Sequence, residues 1–163
     1  MDRVIGIDYG KKRTGLAVSD PLGIFAAALD TVDDTKIIDT IKNYAQKEKI
    51  GRFVLGWPVN MDGRPSEAAA DVERFEQRLR KAFPDIPVER EDERFTSVLA
   101  RRVMIDGGMK ARERRDKTAV DRISAAIILQ GWLDRRSGTA FAVDPDAVPD
   151  SRSRKNSRTG RKR

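Results

Sequence analysis

The order of segments along this chain predicts an α/β fold: a mixed five-stranded sheet, three antiparallel strands followed by two parallel ones, flanked by helices. Three observations lead there. The chain opens with short apolar runs joined by turn-length connections, which make hairpins. From residue 35 the apolar spacing changes from strand-like to helical. The two later apolar runs are each reached through a helical stretch, and a strand that returns by a helical crossover lies parallel to its neighbour. With 163 residues, one domain is expected, and layers of helix on a sheet are the economical way to bury it.

Val4 to Asp8 reads as the first buried strand. Gly10-Lys-Lys-Arg13 is a turn, opened by a glycine free to take positive φ. Thr14 to Val18 returns as the second strand of a hairpin. Asp20-Pro-Leu-Gly23 is the next turn, and Ala27 to Val32 the third strand. Ile37, Ile38, Ile41, Tyr44 and Ala45 then recur at helical spacing through Lys49. Arg52 to Leu55 is a compact strand closed by Gly56-Trp-Pro58, and Asn60 to Pro65 is a loop. Ser66 is placed to cap a helix running to about Ala82, with Val72, Phe75 and Leu79 inward. Phe83 to Pro87 breaks it. Val88 to Glu93 is a charged strand. Thr96 is placed to cap a helix through Ile105. Gly107 to Lys117 has no apolar period and reads as a loop. The last helix spans Thr118 to about Arg135, its apolar set including Val120, Ile123, Ile127 and Leu133, with Trp132 nearby.

Composition removes several chemistries. The chain has no cysteine and no histidine, which excludes disulfides, thiolate sites and imidazole as base or ligand. Any metal must be held by oxygen, which favours Mg²⁺ or Mn²⁺. No stretch approaches the ~20 apolar residues of a membrane helix, and the first residues are too short and acidic for a secretory core. A cytoplasmic address without a membrane partner is the expectation. Residues 151–163 hold seven of the 33 Lys and Arg and none of the 26 Asp and Glu, so residues 1–150 are balanced and the net charge of +7 belongs to the tail. The division expected is therefore a domain over 1–136 and a basic, disordered tail over 137–163. Such a tail suits phosphate backbones, or is simply a solubilising end.

Three acidic positions carry the functional argument. Asp8 ends an apolar strand, where a carboxylate needs a cation, a hydrogen bond or the sheet edge. It reads either as a partner of Arg13 or as a metal ligand. Glu91-Asp92-Glu93 closes a parallel strand, where open α/β sheets place their sites. Alternation sets Glu91 and Glu93 on one face and Asp92 on the other. The plain alternative is an exposed edge balanced by Arg90 and Arg94. Asp121 fits a capping box with Thr118. Yet Ser124 and Ala125, one turn on, are small enough to let this side of the helix approach the sheet and bring Asp121 near Asp8. Together the acids can converge at one end of the sheet and hold one or two Mg²⁺ or Mn²⁺ ions about 4 Å apart. Such ions activate a water and stabilise the leaving oxygen of a phosphodiester.

The segments Ile5-Gly-Ile-Asp-Tyr-Gly-Lys-Lys-Arg-Thr-Gly-Leu-Ala-Val18, Gly56-Trp-Pro-Val-Asn-Met-Asp-Gly63, Asp92-Glu-Arg-Phe-Thr-Ser97 and Lys117-Thr-Ala-Val-Asp-Arg-Ile-Ser-Ala-Ala126 resemble the YqgF/RuvX family, relatives of the RuvC-type resolvases. The motifs occur in the family's order and cover residues 4 to about 136. Trp57 stands where a smaller apolar residue is usual. The resemblance implies an RNase H-like fold and a metal-dependent endonuclease. Its substrate would be precursor 16S rRNA, trimmed at the 5′ end, or a four-way DNA junction. It also implies Asp8, Glu93 and Asp121 as catalytic metal ligands, with Asp92 as an alternative to Glu93. Candidate phosphate contacts are Lys11, Lys12, Arg13, Arg94, Lys110, Arg112, Arg114, Arg115 and Lys117. Substrate, ion and the choice of monomer or homodimer stay open.

Two other readings compete. A binding module of the same fold without catalysis would not need all three acids. An ATP-dependent phosphotransferase shares the first Asp-x-Gly, but needs two duplicated halves that 163 residues cannot hold.

Overall fold

The structure, a computed structural model, describes residues 2–60, 63–92 and 117–137, with side chains in the last span from 123 onward. Its strands are β1 (Arg3–Asp8), β2 (Arg13–Ser19), β3 (Ala26–Asp33), β4 (Ile50–Trp57) and β5 (Val88–Asp92). Its helices are α1 (Ile37–Ala45), α2 (Ala69–Ala82) and α3 (Lys117–Ser137), with a 3₁₀ turn over Asp34–Lys36. The strands form one sheet in the order β3-β2-β1-β4-β5. β1 pairs antiparallel with β2 and β2 with β3, while β1–β4 and β4–β5 are parallel. The mixed sheet expected from segment order is borne out.

Alternation along the strands builds two cores. Ile5, Ile7, Leu16, Phe53 and Leu55 face α1 and α2, meeting Ile37, Ile41, Val72, Phe75 and Leu79. Val4, Ala17 and Val54 face the other way and meet Ala125, Ile128, Leu129, Trp132 and Leu133 of α3. Strands covered on both sides read as continuous apolar runs, as Val4–Ile7 and Phe53–Leu55 do.

Several details differ from expectation. β4 runs on through Gly56 and Trp57, because both still pair with β5. The 37–49 segment leaves the α-helix after Ala45 and closes in turns, with the Lys47 and Glu48 N–H groups donating to the Tyr44 carbonyl. Ser66 does not cap α2, which starts at Ala69 behind Ala68. The Ser66 carbonyl accepts from the Ala69 N–H, while its hydroxyl is buried without a hydrogen-bond partner. Gly10 does not take positive φ; among the described residues Gly23 and Gly63 do. Glycine is needed at position 10 for another reason, since a Cβ there would lie 2.5 Å from the Arg13 carbonyl oxygen.

The buried stripe of α3 is Ala125, Ile128, Leu129, Trp132 and Leu133, whereas Ile123 and Ile127 are only partly buried. Thr118 stands inside α3, which already includes Lys117, so it is not the helix cap. The expected helix over Thr96–Ile105, the loop from Gly107 to Asp116 and the tail beyond Ser137 lie outside the described residues. Among the described residues no helix is long and apolar enough to cross a membrane.

Candidate active site

The close approach of α3 to β1 sets the geometry. A Cβ built on Gly6 would lie 2.7 Å from the Leu129 Cβ and 3.1 Å from the Ala125 carbonyl oxygen. Only glycine fits at this crossing. At the other end, Val4 and Arg136 line one cavity with Asp2, Gly51 and Arg52. α3 therefore runs antiparallel to β1, with its early turns toward the carboxyl end of the strand. Asp8 follows Gly6 by two residues and shares its face, about 6.6 Å further along. Position 121 precedes Ala125 by one turn on the same stripe, about 6 Å further in that direction. Strand and helix thus carry positions 8 and 121 equally far from one contact. The expectation that small residues on α3 permit a close approach is borne out at Ala125.

Asp8 is the last paired residue of β1, matched to Gly15 of β2, and is partly buried. β5, parallel to β4 and so to β1, finishes at the same end of the sheet. Glu89 accepts from the Trp132 indole N–H and pairs with Arg52, and Glu91 is ion-paired with Arg135. Both glutamates therefore face α3, as Asp8 does. Arg90 and Asp92 lie in register with Leu55 and Trp57, which pack into the α1–α2 core. Asp92 thus holds a register position on the face opposite Asp8. Arg90 reaches across to α2. Its guanidinium lies 3.7 Å from the Trp57 ring centroid and donates to Glu76, a buried acid that also accepts from Arg80.

Of the other expected site residues, Lys11, Lys12 and Arg13 are exposed on the hairpin that follows Asp8. Lys11 lies 3.3 Å from Asp71 of α2. Lys117 is the first residue of α3, and Asp121 lies within that helix. Glu93, Arg94, Lys110, Arg112, Arg114 and Arg115 lie outside the described residues. Among the described residues no three acids form a metal-holding group.

One cluster beside Asp8 was not singled out from sequence. The Tyr9 ring stacks on Phe75, with centroids 4.5 Å apart and planes at 11°. Its hydroxyl donates to an Asp34 carboxylate oxygen at 2.9 Å, and Arg78 donates to that carboxylate at 3.0 and 3.3 Å. Burial, then the bond to Asp34, pushes the Tyr9 phenol above its ordinary range. The inward place of Phe75 on α2 was legible; the meeting of Tyr9 and Arg78 at Asp34 was not. At the opposite sheet end, the Asp20 carboxylate accepts from the Ile24 and Phe25 N–H groups. The Phe25 bond is the main cause of its depressed pKa.

A mixed sheet whose first strand ends in a carboxylate under the early turns of a covering helix is the frame of an RNase H-like nuclease. A Thermus thermophilus RuvC structure superimposes with a TM-score of 0.54 at 20% identity, over 85% of this chain and 98% of that one. That likeness bears out the RNase H-like fold. The sequence profile described as "RuvX: Holliday junction resolvase" matches residues 2–135, and the chain belongs to this family. A relative from Phocaeicola vulgatus named "Putative pre-16S rRNA nuclease" is 49% identical over 136 residues, 83% of this chain and 98% of its own. One of the same name from Azobacteroides pseudotrichonymphae is 50% identical over 134 residues, 82% of this chain and 97% of its own. The resemblance read from the four motifs is thereby borne out, as is the class of hydrolytic nuclease.

Proposed function

We propose that the chain is a divalent-metal-dependent endonuclease that trims the 5′ end of precursor 16S rRNA, with Asp8, Glu93 and Asp121 as metal ligands. The observation that carries this reading is the Gly6–Ala125–Leu129 contact, which sends β1 and α3 together toward positions 8 and 121. The alternation of β5 supports Glu93 over Asp92. Glu89 and Glu91 face α3, and the next residue of that series is 93. Glu91 itself is engaged by Arg135, so it is not counted as a ligand. The donor set is all oxygen, which fits Mg²⁺ or Mn²⁺. When bound, the metal supplies an activated water and charge stabilisation of the leaving oxygen. The chain's own contribution is to fix the carboxylates. The exposure of Lys12 and Arg13, on the hairpin next to Asp8, supports them as contacts to substrate phosphates.

Naming of the 49–50% identical relatives supports the rRNA substrate, while the family description favours a second one, the four-way DNA junction. Cleavage assays with Mn²⁺, Mg²⁺ and EDTA on a precursor 16S 5′-end RNA, a four-way junction and a plain duplex test both. The expected result is metal-dependent cutting of the RNA at one main position, abolished by EDTA. Faster cutting of the junction would move the assignment to resolution. EDTA-resistant cutting would remove the metal.

A further inference from the structure

We propose that Tyr9 is the positioning residue for the Asp8 carboxylate, held by an α2 clamp built from Phe75, Arg78 and the Asp34 turn; this rests on the metal reading above. Asp8 is the last residue of β1 with a ladder partner. Its backbone is fixed on one side by the sheet. On the other side it is held through residue 9 and through the Gly10 N–H, which donates to the Thr14 hydroxyl at 3.4 Å. Strand alternation sends the two side chains to opposite faces, Asp8 toward α3 and Tyr9 toward α2.

The hold on Tyr9 comes from three directions. Phe75 supplies a near-parallel ring 4.5 Å away. Asp34, at the end of the β3 connection, accepts the phenol proton. Arg78 locks Asp34 through its carboxylate at 3.0 and 3.3 Å and its backbone carbonyl at 3.4 Å, and lies 5.7 Å over the Phe75 ring. One turn before Phe75, Asp71 meets Lys11 at 3.3 Å. Positions 71, 75 and 78 form one ridge of α2, and that ridge grips the β1–β2 hairpin and the Asp34 turn together. A metal ligand must be held to about 0.5 Å and 10–20° to keep its affinity. Past the last ladder bond, the clamp on residue 9 narrows the strand end toward that tolerance. The clamp acts from the face of the sheet opposite Asp8, so Tyr9 positions the carboxylate and does not itself serve as a ligand.

The test is Mn²⁺ binding by calorimetry to the full chain, with thermal unfolding of each variant recorded beside it. Tyr9→Phe keeps the ring stack and loses the bond to Asp34. Asp34→Ala removes the same bond from the other side. Both should weaken Mn²⁺ binding threefold or more. Val72→Ala, a truncation in the same core outside the clamp, should lower Tm at least as much and leave Mn²⁺ affinity within 1.5-fold. Unchanged affinity in Tyr9→Phe and Asp34→Ala, with Asp8→Asn defective, overturns the clamp and leaves the metal reading standing. Equal weakening by Val72→Ala overturns it as well, since general loosening would then explain the effect. If Asp8→Asn binds Mn²⁺ as the wild type does, the metal reading itself falls, and the clamp falls with it.

Discussion

Replacing Asp8 by Asn should abolish cleavage while leaving the protein folded and able to bind nucleic acid. The amide keeps the size of the side chain and loses the charge that a divalent ion requires. A loss of about 10³-fold or more in kcat is expected, ~4 kcal/mol in the barrier. Tm should stay close to that of the wild type, because the amide fills the same volume as the carboxylate. Binding of uncut RNA in EDTA should change little. Single-turnover rates, thermal unfolding and filter binding read the three quantities. Cleavage within tenfold of wild type by a folded Asp8→Asn protein would remove Asp8 from the mechanism.

The second large effect is expected from a methyl group. In Gly6→Ala the new Cβ meets the Leu129 Cβ at 2.7 Å and the Ala125 carbonyl oxygen at 3.1 Å. The second of these is helix backbone, which moves only if the helix moves. Overpacking of this kind costs about 2–3 kcal/mol, roughly 6–12 °C in Tm for a domain of this size. Pushing α3 outward also separates positions 8 and 121, so cleavage should fall tenfold or more at temperatures where the variant is still folded. Gly131→Ala is the matched control on the same helix. A Cβ there finds nothing nearer than an Arg135 guanidinium nitrogen at 3.9 Å. It should stabilise the protein by about 0.5–1 kcal/mol through helix propensity alone and leave cleavage unchanged. Equal Tm values for Gly6→Ala and wild type would contradict the close crossing.

The sheet was legible because its strands announce themselves locally. Val4–Ile7 and Phe53–Leu55 are apolar on both faces, and the connections between strands are either turn-length or helical. Its boundaries were less so. Gly56 and Pro58 read as terminators, yet Gly56 and Trp57 remain paired to β5. The inward set of α3 was legible at Leu133 and Trp132 but not at Ile123 and Ile127, because periodicity follows hydrophobicity. The sheet takes Ala125 at its crossing, where a large side chain would hold the helix away, and leaves Ile123 and Ile127 partly exposed. Asp8 stood out as a carboxylate closing an apolar strand. The Tyr9–Asp34–Arg78 cluster did not, because its members lie 25 and 44 residues apart in the chain, and only the packed fold brings them together. The partners of Glu91 and Arg90 were missed for the same reason. Arg135 reaches Glu91 from the last helix, and Glu76 holds Arg90 from α2.

Convergence of positions 8, 93 and 121 on one divalent ion is tested most directly by where Mn²⁺ sits on the protein. Backbone amide spectra recorded with substoichiometric Mn²⁺ locate it through paramagnetic broadening. The amides of Asp8, Tyr9, Asp92, Glu93 and residues 120–122 should broaden first, those at the opposite sheet end, Ser19 to Phe25, should stay sharp, and Asp8→Asn should remove the effect. Broadening centred on any other group of acids, or an unchanged pattern in Asp8→Asn, would contradict the site.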